Sequence, residues 1–485
     1  MSAQQLLTEI SDFCRLAGLA ESTFGRAAIN DGKLVSRLRN GGRITTDTLD
    51  KIRGFMVNYT PSSRARSMTV MTPAVPAAIR PVAPPPPPAP PLSAPPPPGG
   101  DKPASQQDDN GQRNFRFYDN RQKYLLFVNT CSEKWEVANR ISQELTNVHP
   151  KPPAFRLFDA GVGDGSVLAH VMRSMHDRYP TMPFYVVGKE ISLEDVRLSL
   201  RRMVDRFCEH PSTVLVLTNL QYADAPWLTV KSMSAASSLV WHEVKLTGDT
   251  AHTFDKQITD LEPFLAQNWN ARTSPRTGNS VYDRPVVLVL YRDDHKFALD
   301  PIIPRLGQTP ADYDLVIASQ PYRARASVEF KAKRVIAPLT RALRPGGRLI
   351  GIHSCGNDPG MEIIDKVWPN DNPFTTNNRH DLLKQVKHEL GPAARDYNFN
   401  ANADGKSLFQ YHMHTLPTEV EGASIGTSTL FAAWNAAIYV AQVEDDRLGP
   451  VVANDAYLEA TRDVLRKNNG LWFYDESYVI SKRRD

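Results

Sequence analysis

A glycine-rich turn, FDAGVGDGSVL, is the stretch of the sequence whose spacing most clearly suggests chemistry. Three glycines alternate in it, Gly161, Gly163 and Gly165, behind the acidic Asp159. Glycine lets the backbone turn sharply and approach a ligand closely, so we expect a nucleotide-binding turn between a strand and a helix. The spacing differs from the G-x-G-x-x-G of dinucleotide sites, and Asp164 within the turn would repel a pyrophosphate. A ligand with a cationic end, such as a sulfonium that carries an ammonium group, fits this turn better.

Polar residues also follow the next two apolar runs. Glu190 ends FYVVGKE, and an acid at the tip of a second strand accepts hydrogen bonds from two ribose hydroxyls. Asn219 and Asp224 stand in TNLQYADAP, after the third run, where an adenine edge would need a polar partner. Together with the glycine turn, these residues predict a nucleoside site.

Five segments of the sequence carry a family resemblance: FDAGVGDGSVL, VVGKEIS, LQYADAP, DYDLVIASQPY and ALRPGGRLIGIHS. In this order they resemble the motifs of class I S-adenosylmethionine-dependent methyltransferases, over about residues 155–355. The resemblance implies a doubly wound, Rossmann-like methyltransferase sheet of the α/β class, with S-adenosyl-L-methionine as cofactor. The turn would hold the methionine part, Glu190 the ribose and Asp224 the adenine. The residues expected to bind the cofactor are Asp159, Ala160, Gly161, Gly163, Asp164, Gly165, Glu190, Ile191, Asn219 and Asp224.

The fourth apolar run ends in SQPY, which in this family would face the sulfonium. In methyltransferases that act on amines of DNA or RNA bases, the corresponding S/D/N-P-P-Y/F motif holds the amine and stacks its ring on a flipped base. This sequence has Gln320 where the first proline belongs, so the match is partial, and SQPY could instead only turn the chain. The catalytic candidates are Ser319, Gln320, Pro321 and Tyr322. His353 and His242 could take a proton or could be structural histidines.

The elements that must position these residues alternate regularly. From Phe155 onward, apolar strands alternate with amphipathic helices, which predicts a parallel, doubly wound sheet. A further pair of strands is expected at FQYHMH (409–414) and AAIYVAQV (436–443). About ninety residues (221–313) separate the third and fourth strands, which is too long for a simple crossover. We expect an insertion at about 225–312 that covers the edge of the active site.

The N-terminal part has a different character. The net charge of +4 lies entirely in residues 1–73, which hold 10 Lys and Arg against 6 Asp and Glu. The segment ISDFCRLAGLAESTFGRAAI has helix-turn-helix spacing and resembles small repressor-like domains over roughly residues 5–57. A helical protein-interaction module of the same shape is the alternative. The candidate nucleic-acid-binding residues are Ser22, Thr23, Arg26, Lys33 and Arg37.

Composition sets the domain boundaries. Residues 73–103 hold 15 of the 38 prolines, which predicts an extended polyproline spacer or, alternatively, a ligand for a proline-binding partner. We expect a helix-turn-helix-like domain over 1–70, a disordered linker over 71–112 and a methyltransferase domain over 113–485. Four scattered cysteines without a C-x-x-C pair argue against zinc or disulfides, so no metal is expected. No apolar run is long enough for a membrane span and no secretory signal is evident, which favours the cytoplasm.

Three functional hypotheses follow from the sequence. The first is a methyltransferase that uses S-adenosylmethionine and acts on an unassigned acceptor. The second is an enzyme that methylates a base amine in DNA or RNA, with the N-terminal domain for targeting. The third is a DNA-binding regulator whose larger domain only senses S-adenosylmethionine. The acceptor and the oligomeric state are not determined by the sequence.

Overall fold

The computed structural model forms two units, Met1–Lys102 and Pro103–Asp485, which are described separately. The residues that the structure describes are 6–7, 10, 13–14, 21–29, 31–39, 48, 51–53, 55–56, 121–274, 280–415, 419 and 425–484. The predicted linker at 71–112 lies outside them.

The first unit contains helices α1 (Glu21–Ile29) and α2 (Leu34–Arg39). They share a small core with the other described residues of this unit, centred on the fully buried Phe24 and Leu34. Among the predicted nucleic-acid contacts, Thr23, Arg26, Lys33 and Arg37 are exposed, and Arg37 pairs with Asp31 at 2.9 Å. The side chain of Ser22 and the expected turn at residues 15–20 lie outside the described residues, so the helix-turn-helix stays a prediction.

The second unit is built on one large mixed sheet. Its strands follow the order β10-β12-β9-β8-β1-β2-β3-β7-β4, and β11 pairs with β12 as well. The strands are β1 (Phe155–Asp159), β2 (Phe184–Lys189), β3 (Thr213–Thr218), β4 (Val240–Leu246), β5 (Ala271–Thr273), β6 (Ser280–Tyr282), β7 (Val286–Arg292), β8 (Tyr313–Ser319), β9 (Leu343–Ser354), β10 (Tyr397–Asn400), β11 (Leu408–His412) and β12 (Trp472–Lys482). Strands β5 and β6 form a separate two-stranded sheet.

The centre of the sheet is parallel and reverses its order at one point. Strands β3, β2, β1, β8 and β9 all run in the same direction. The chain proceeds from β1 outward through β2 and β3, and then returns to β8 on the other side of β1. In open α/β sheets, ligands bind outside the carboxyl ends of the strands at such a switch point. The place to look for a site is therefore the crevice between the ends of β1 and β8.

Helices surround the sheet. In chain order they are α3 (Arg121–Thr130), α4 (Glu133–Glu144), α5 (Ser166–Arg178), α6 (Leu193–Glu209), α7 (Met233–Ala236), α8 (Ala251–Thr259), α9 (Glu262–Asn268), α10 (Lys296–Leu299), α11 (Val328–Phe330), α12 (Ala337–Arg341), α13 (Pro359–Val367), α14 (Arg379–Leu390), α15 (Asp404–Ser407), α16 (Thr427–Val440), α17 (Asp445–Val452) and α18 (Ala456–Asn468), with a π-helical stretch, Lys331–Ile336, between α11 and α12. None of the helices in the described ranges has the length and apolar character needed to cross a membrane.

Two apolar cores lie against the sheet and a third lies among helices. Every residue of β2, β3 and β7 is buried, because both faces of these strands are covered, and their sequences are accordingly almost continuous apolar runs. The third core is formed by residues of α3, α13, α16 and α18 with parts of β11 and β12. The predicted α/β class is confirmed, but the sheet as a whole is mixed and not parallel, because β7 pairs antiparallel with β3 and β12 pairs antiparallel with β9.

Two expectations about the framework need correction. The expected strand at 409–414 is present as β11, but the expected strand at 436–443 is wrong, because most of that run lies in α16. An apolar run that is buried on all sides shows no hydrophobic periodicity by which a strand could be distinguished from a helix. The alanines of this run favour the helix. The insertion does not only cover an edge, since its strands β4 and β7 extend the sheet beside β3.

Candidate cofactor site

The glycine turn lies at the switch point of the sheet. The backbone N–H of Ala160 donates to Ile317 O at 2.9 Å, which ties the end of β1 to β8 before the turn begins. Gly161 is exposed, and the nearest atom to a Cβ added there would be Ser319 O at 3.9 Å. The backbone at Gly161 is therefore open to close approach by a ligand.

The other two glycines of the turn are required by its geometry. Gly163 and Gly165 have φ values of 55° and 81°, in the left-handed region that side chains disfavour. A Cβ at Gly165 would lie 2.8 Å from Ser199 Cα, because the start of α5 packs directly on α6. Only glycine allows the turn and this close helix contact together.

Glu190 connects the turn to the end of β2. Its Oε2 accepts from the N–H of Gly163 at 2.9 Å, and its Oε1 accepts from Ile191 N at 2.8 Å and Ser192 N at 2.9 Å. Burial, with a smaller effect of Asp195, raises the pKa of Glu190. The insertion reaches this point, since Trp269 Nε1 donates to Glu190 O at 3.1 Å. The structure therefore brings Glu190 and the glycine turn together, as the sequence predicted.

Asp159 lies beneath the turn. Its side chain is 2 % exposed, and its Oδ1 accepts from Gly161 N at 3.0 Å. Burial raises the pKa of Asp159 to about 7, the charge of Glu190 acts in the same direction, and the Gly161 hydrogen bond opposes both. A carboxylate in this position is stabilised by a cation, because a cation offsets the cost of its burial.

Asp164 differs from the sequence expectation. Its carboxylate accepts from Arg202 Nη2 at 2.8 Å and Ser166 Oγ at 2.6 Å, and Tyr124 Oη is 3.3 Å from its Oδ1. Burial raises the pKa of Asp164, but the charges of Lys134 and Arg202 and the Ser166 hydrogen bonds outweigh it, so the pKa is lowered. Asp164 is occupied by protein partners that hold the turn, and its carboxylate is not free for the cationic end of a ligand.

Asn219 and Asp224, after β3, have different surroundings. Asn219 Oδ1 accepts from Val286 N at 2.8 Å and its Nδ2 donates to Arg284 O at 2.9 Å, so this amide fastens the end of β3 to β7. Asp224 is 8 % exposed, and its Oδ1 is buried without a donor from any residue that the structure describes. Burial raises the pKa of Asp224, and the charge and the backbone N–H of Lys231 oppose the rise, so a donor for the other oxygen of this carboxyl group lies nearby. A buried acceptor without a donor is costly, which marks Asp224 as a ligand-binding candidate and Asn219 as a structural one.

The end of β8 is held by β9 and β12. Gln320 has a φ of 47° and donates from Nε2 to Ser354 Oγ at 3.0 Å and to Asp475 Oδ1 at 3.3 Å. Asp475 is fully buried, and burial raises its pKa to about 8, with a smaller effect of Glu133. Tyr222, which sequence reasoning did not single out, donates to Pro321 O at 2.7 Å, although it stands within the LQYADAP motif.

Tyr322 is not available as a stacking ring. It is 6 % exposed, and its hydroxyl lies 2.8 Å from His353 Nδ1. His353 Nε2 lies 2.8 Å from Glu476 Oε1, and Arg379 Nη1 pairs with Glu476 Oε2 at 2.7 Å. These linked, buried contacts give both Tyr322 and His353 a structural explanation. His242, in β4, stacks on Phe264 at 4.3 Å between ring centres.

Comparison with known proteins gives distant likenesses in structure only. No family model matches the chain, and no curated protein matches it. A geranyl diphosphate methyltransferase in complex with GPP and sinefungin is 13% identical, with 71% of this chain and 76% of that chain covered and a TM-score of 0.26. Loganic acid methyltransferase with SAH is 10% identical, with 79% and 99% covered and a TM-score of 0.29. PKMT2 from Rickettsia typhi is 10% identical, with 73% and 53% covered and a TM-score of 0.25.

Proposed function

We propose that the chain is an S-adenosylmethionine-dependent methyltransferase whose acceptor is unassigned. The observation that carries this proposal is the unpaired, buried Oδ1 of Asp224, at the same edge of the sheet as Asp159, Glu190 and the open turn at Gly161. Three carboxyl groups after three consecutive parallel strands provide acceptors for an amine, for hydroxyls and for a cation. A nucleoside with a cationic amino-acid end carries an amine, hydroxyls and a cation in one molecule.

Each of these residues would hold one part of the cofactor. Asp224 Oδ1 would accept from the exocyclic amine of adenine, and Glu190 would accept from the ribose hydroxyls, in exchange for its bond to Gly163 N. Asp159 and the backbone at Gly161 would hold the methionine part. The bound cofactor supplies a methyl group activated on a sulfonium, and methyl transfer is an in-line displacement, so the protein must mainly align the reactants.

The acceptor would approach the end of β8. The Nε2 of Gln320 is committed to Ser354 and Asp475, so its Oε1 is directed elsewhere, and no described residue donates to it. We propose that Gln320 Oε1 and the half-buried Ser319 orient an N–H or O–H of the acceptor. The ring of Tyr322 is buried and cannot stack on a flipped base as the sequence motif predicted. Methylation of a DNA or RNA base amine therefore gains no support from this residue.

Glu190→Ala tests the proposed function. We expect calorimetry of the full-length protein to show binding of S-adenosylmethionine and S-adenosylhomocysteine, weakened at least roughly a hundredfold by the substitution, because two charge-assisted hydrogen bonds are lost. Glu190→Gln, which keeps the shape and one acceptor oxygen, should bind with intermediate affinity. Unaltered affinity in Glu190→Ala would refute the cofactor assignment. Methyl-labelled S-adenosylmethionine with fractionated cell extract, and Glu190→Ala as control, would then identify the acceptor class.

A nucleic-acid role for the first unit is a separate proposal, supported by the exposure of Thr23, Arg26 and Lys33. Deletion of residues 1–110 should remove salt-dependent binding to nucleic acid and leave the affinity for S-adenosylmethionine unchanged. Nucleic-acid binding that survives the deletion would contradict this role.

A further inference from the structure

Helices α3 and α4, which precede the sheet in sequence, pack over the glycine turn. Tyr124, in α3, is 8 % exposed, and its hydroxyl lies 3.3 Å from both the N–H and the Oδ1 of Asp164. A Cβ added to Gly163 would lie 3.2 Å from the same hydroxyl. One wall of the proposed cofactor site is therefore made by residues outside the sequence motifs.

This wall brings a cation to the site. Lys134 is the second residue of α4, and its side chain is 26% exposed. Its Nζ lies 3.0 Å from Glu133 Oε2 and 5.7 Å from the centre of the Tyr124 ring. The contact with Glu133 is the one ion pair that Lys134 makes with the described residues, so the ammonium keeps donors for a further acceptor.

The charge of Lys134 acts on buried carboxyl groups at the end of β1 and near the start of β12. Burial raises the pKa of Asp159 to about 7 and that of Asp475 to about 8, and the Lys134 ammonium opposes the rise in both. It also contributes to the lowered pKa of Asp164. These effects agree with the position of the Lys134 side chain beside Tyr124, whose hydroxyl contacts the glycine turn.

The neighbouring cations are already engaged. Arg202 donates from Nη2 to Asp164 Oδ2 at 2.8 Å and from Nε to Asp164 O at 2.9 Å. Lys189, at the end of β2, is buried with its Nζ 4.6 Å from the centre of the Tyr222 ring. Lys134 thus combines partial exposure with a position beside Tyr124, whose hydroxyl contacts the glycine turn, where an ammonium would meet the carboxylate of an amino-acid zwitterion.

We propose that Lys134 binds the α-carboxylate of S-adenosylmethionine, so that the helix before the sheet completes the cofactor site. This inference rests on the proposed function. It assigns a recognition role to a residue that lies ahead of all five methyltransferase-like motifs in the sequence. It also implies that the protein distinguishes adenosine thioethers that carry an amino-acid end from those that lack it.

A comparison of two ligands tests the inference. S-adenosylhomocysteine carries the α-carboxylate, whereas 5′-methylthioadenosine keeps the adenine, ribose and thioether without the amino-acid end. We expect Lys134→Met in the full-length protein to weaken S-adenosylhomocysteine binding by roughly tenfold or more, because a charge-assisted hydrogen bond is lost. The affinity for 5′-methylthioadenosine should change by less than about twofold, because that ligand has no group for Lys134 to bind.

Two further variants control the experiment. Lys134→Arg should keep most of the preference for S-adenosylhomocysteine, because it retains the charge. Lys123→Met should leave both affinities unchanged, since Lys123 is similarly exposed, at 22%, but pairs with Asp445 at 2.6 Å. An unchanged preference in Lys134→Met, or an equal loss for both ligands, would overturn the Lys134 assignment alone. Wild-type protein that bound neither ligand would overturn the proposed function and this inference with it.

Discussion

The two sides of the sheet's carboxyl edge differ in how their polar groups are satisfied. On the cofactor side, at the ends of β1, β2 and β3, Gly161 is exposed and Asp224 keeps a buried oxygen without a described donor. On the proposed acceptor side, at the ends of β8 and β9 and the start of β12, polar side chains bond one another, as Gln320 does with Asp475 and Tyr322 with His353. An unsatisfied buried group costs stability, and this difference between the two sides is the basis for proposing a ligand on the first side and a structural role for the second.

Two glycines of the cofactor side should respond in opposite ways to substitution by alanine. Gly165→Ala should lower the free energy of unfolding by roughly 2–4 kcal/mol, because its Cβ would meet the backbone of α6 at a positive φ. Gly161→Ala should change the free energy of unfolding by less than about 0.5 kcal/mol. It should weaken cofactor binding, because the new methyl group would occupy the space beside the exposed backbone. Urea unfolding and calorimetry measure the two effects. Equal destabilisation by both substitutions would contradict the described difference between them.

Asp224→Ala separates binding from stability. The affinity for S-adenosylhomocysteine should fall by roughly ten- to a hundredfold, since an acceptor for the adenine amine is lost. The free energy of unfolding of the ligand-free protein should not fall, because the unpaired buried oxygen leaves with the side chain. Calorimetry and urea unfolding of the same preparation check both parts. Loss of stability with unchanged affinity would show that Asp224 is a structural residue.

Asp475→Asn tests the buried carboxyl group of the acceptor side through pH. Burial raises the pKa of Asp475 to about 8, and Glu133 and Asp358 act in the same direction, against Lys134. The pKa of Asp475 is higher in the folded protein than in the unfolded protein. The stability that this group contributes is therefore fully present below about pH 4 and is lost as pH rises through about 8. At pH 9 the variant should exceed the wild type by at least about 1 kcal/mol in free energy of unfolding.

Denaturant unfolding at pH 4.5 and pH 9 measures this difference, and Asp260→Asn, on a surface loop, serves as a control that should follow the wild type. Parallel pH profiles for wild type and Asp475→Asn would contradict the assignment of a raised pKa.

Tyr322→Phe should have a moderate effect on stability and no effect on ligand binding. The ring stays packed, but His353 Nδ1 loses its partner, so we expect the free energy of unfolding to fall by about 1–2 kcal/mol. The affinity for S-adenosylhomocysteine should remain that of the wild type. A strong loss of affinity without a loss of stability would place Tyr322 in the ligand site instead of the framework.

The sequence predicted the parts of the site that lie within short, local motifs. Glu190 directly follows β2 and Gly161 stands two residues after β1, so both could be placed, because parallel strands end at the same edge of the sheet. Tyr124 and Lys134 could not, because they reach the turn only through the packing of helices without a motif. The orientation of the Asp164 carboxylate depends on an ion pair with Arg202 in α6, a contact that spacing does not reveal.

The structure of crystals soaked with S-adenosylhomocysteine would test the central claim most directly. We expect density across the ends of β1, β2 and β3, with the adenine amine within hydrogen-bond distance of Asp224 Oδ1 and the ribose hydroxyls on Glu190. Density elsewhere in the protein, or an empty crevice at saturating ligand with Asp224 Oδ1 still unpaired, would contradict it.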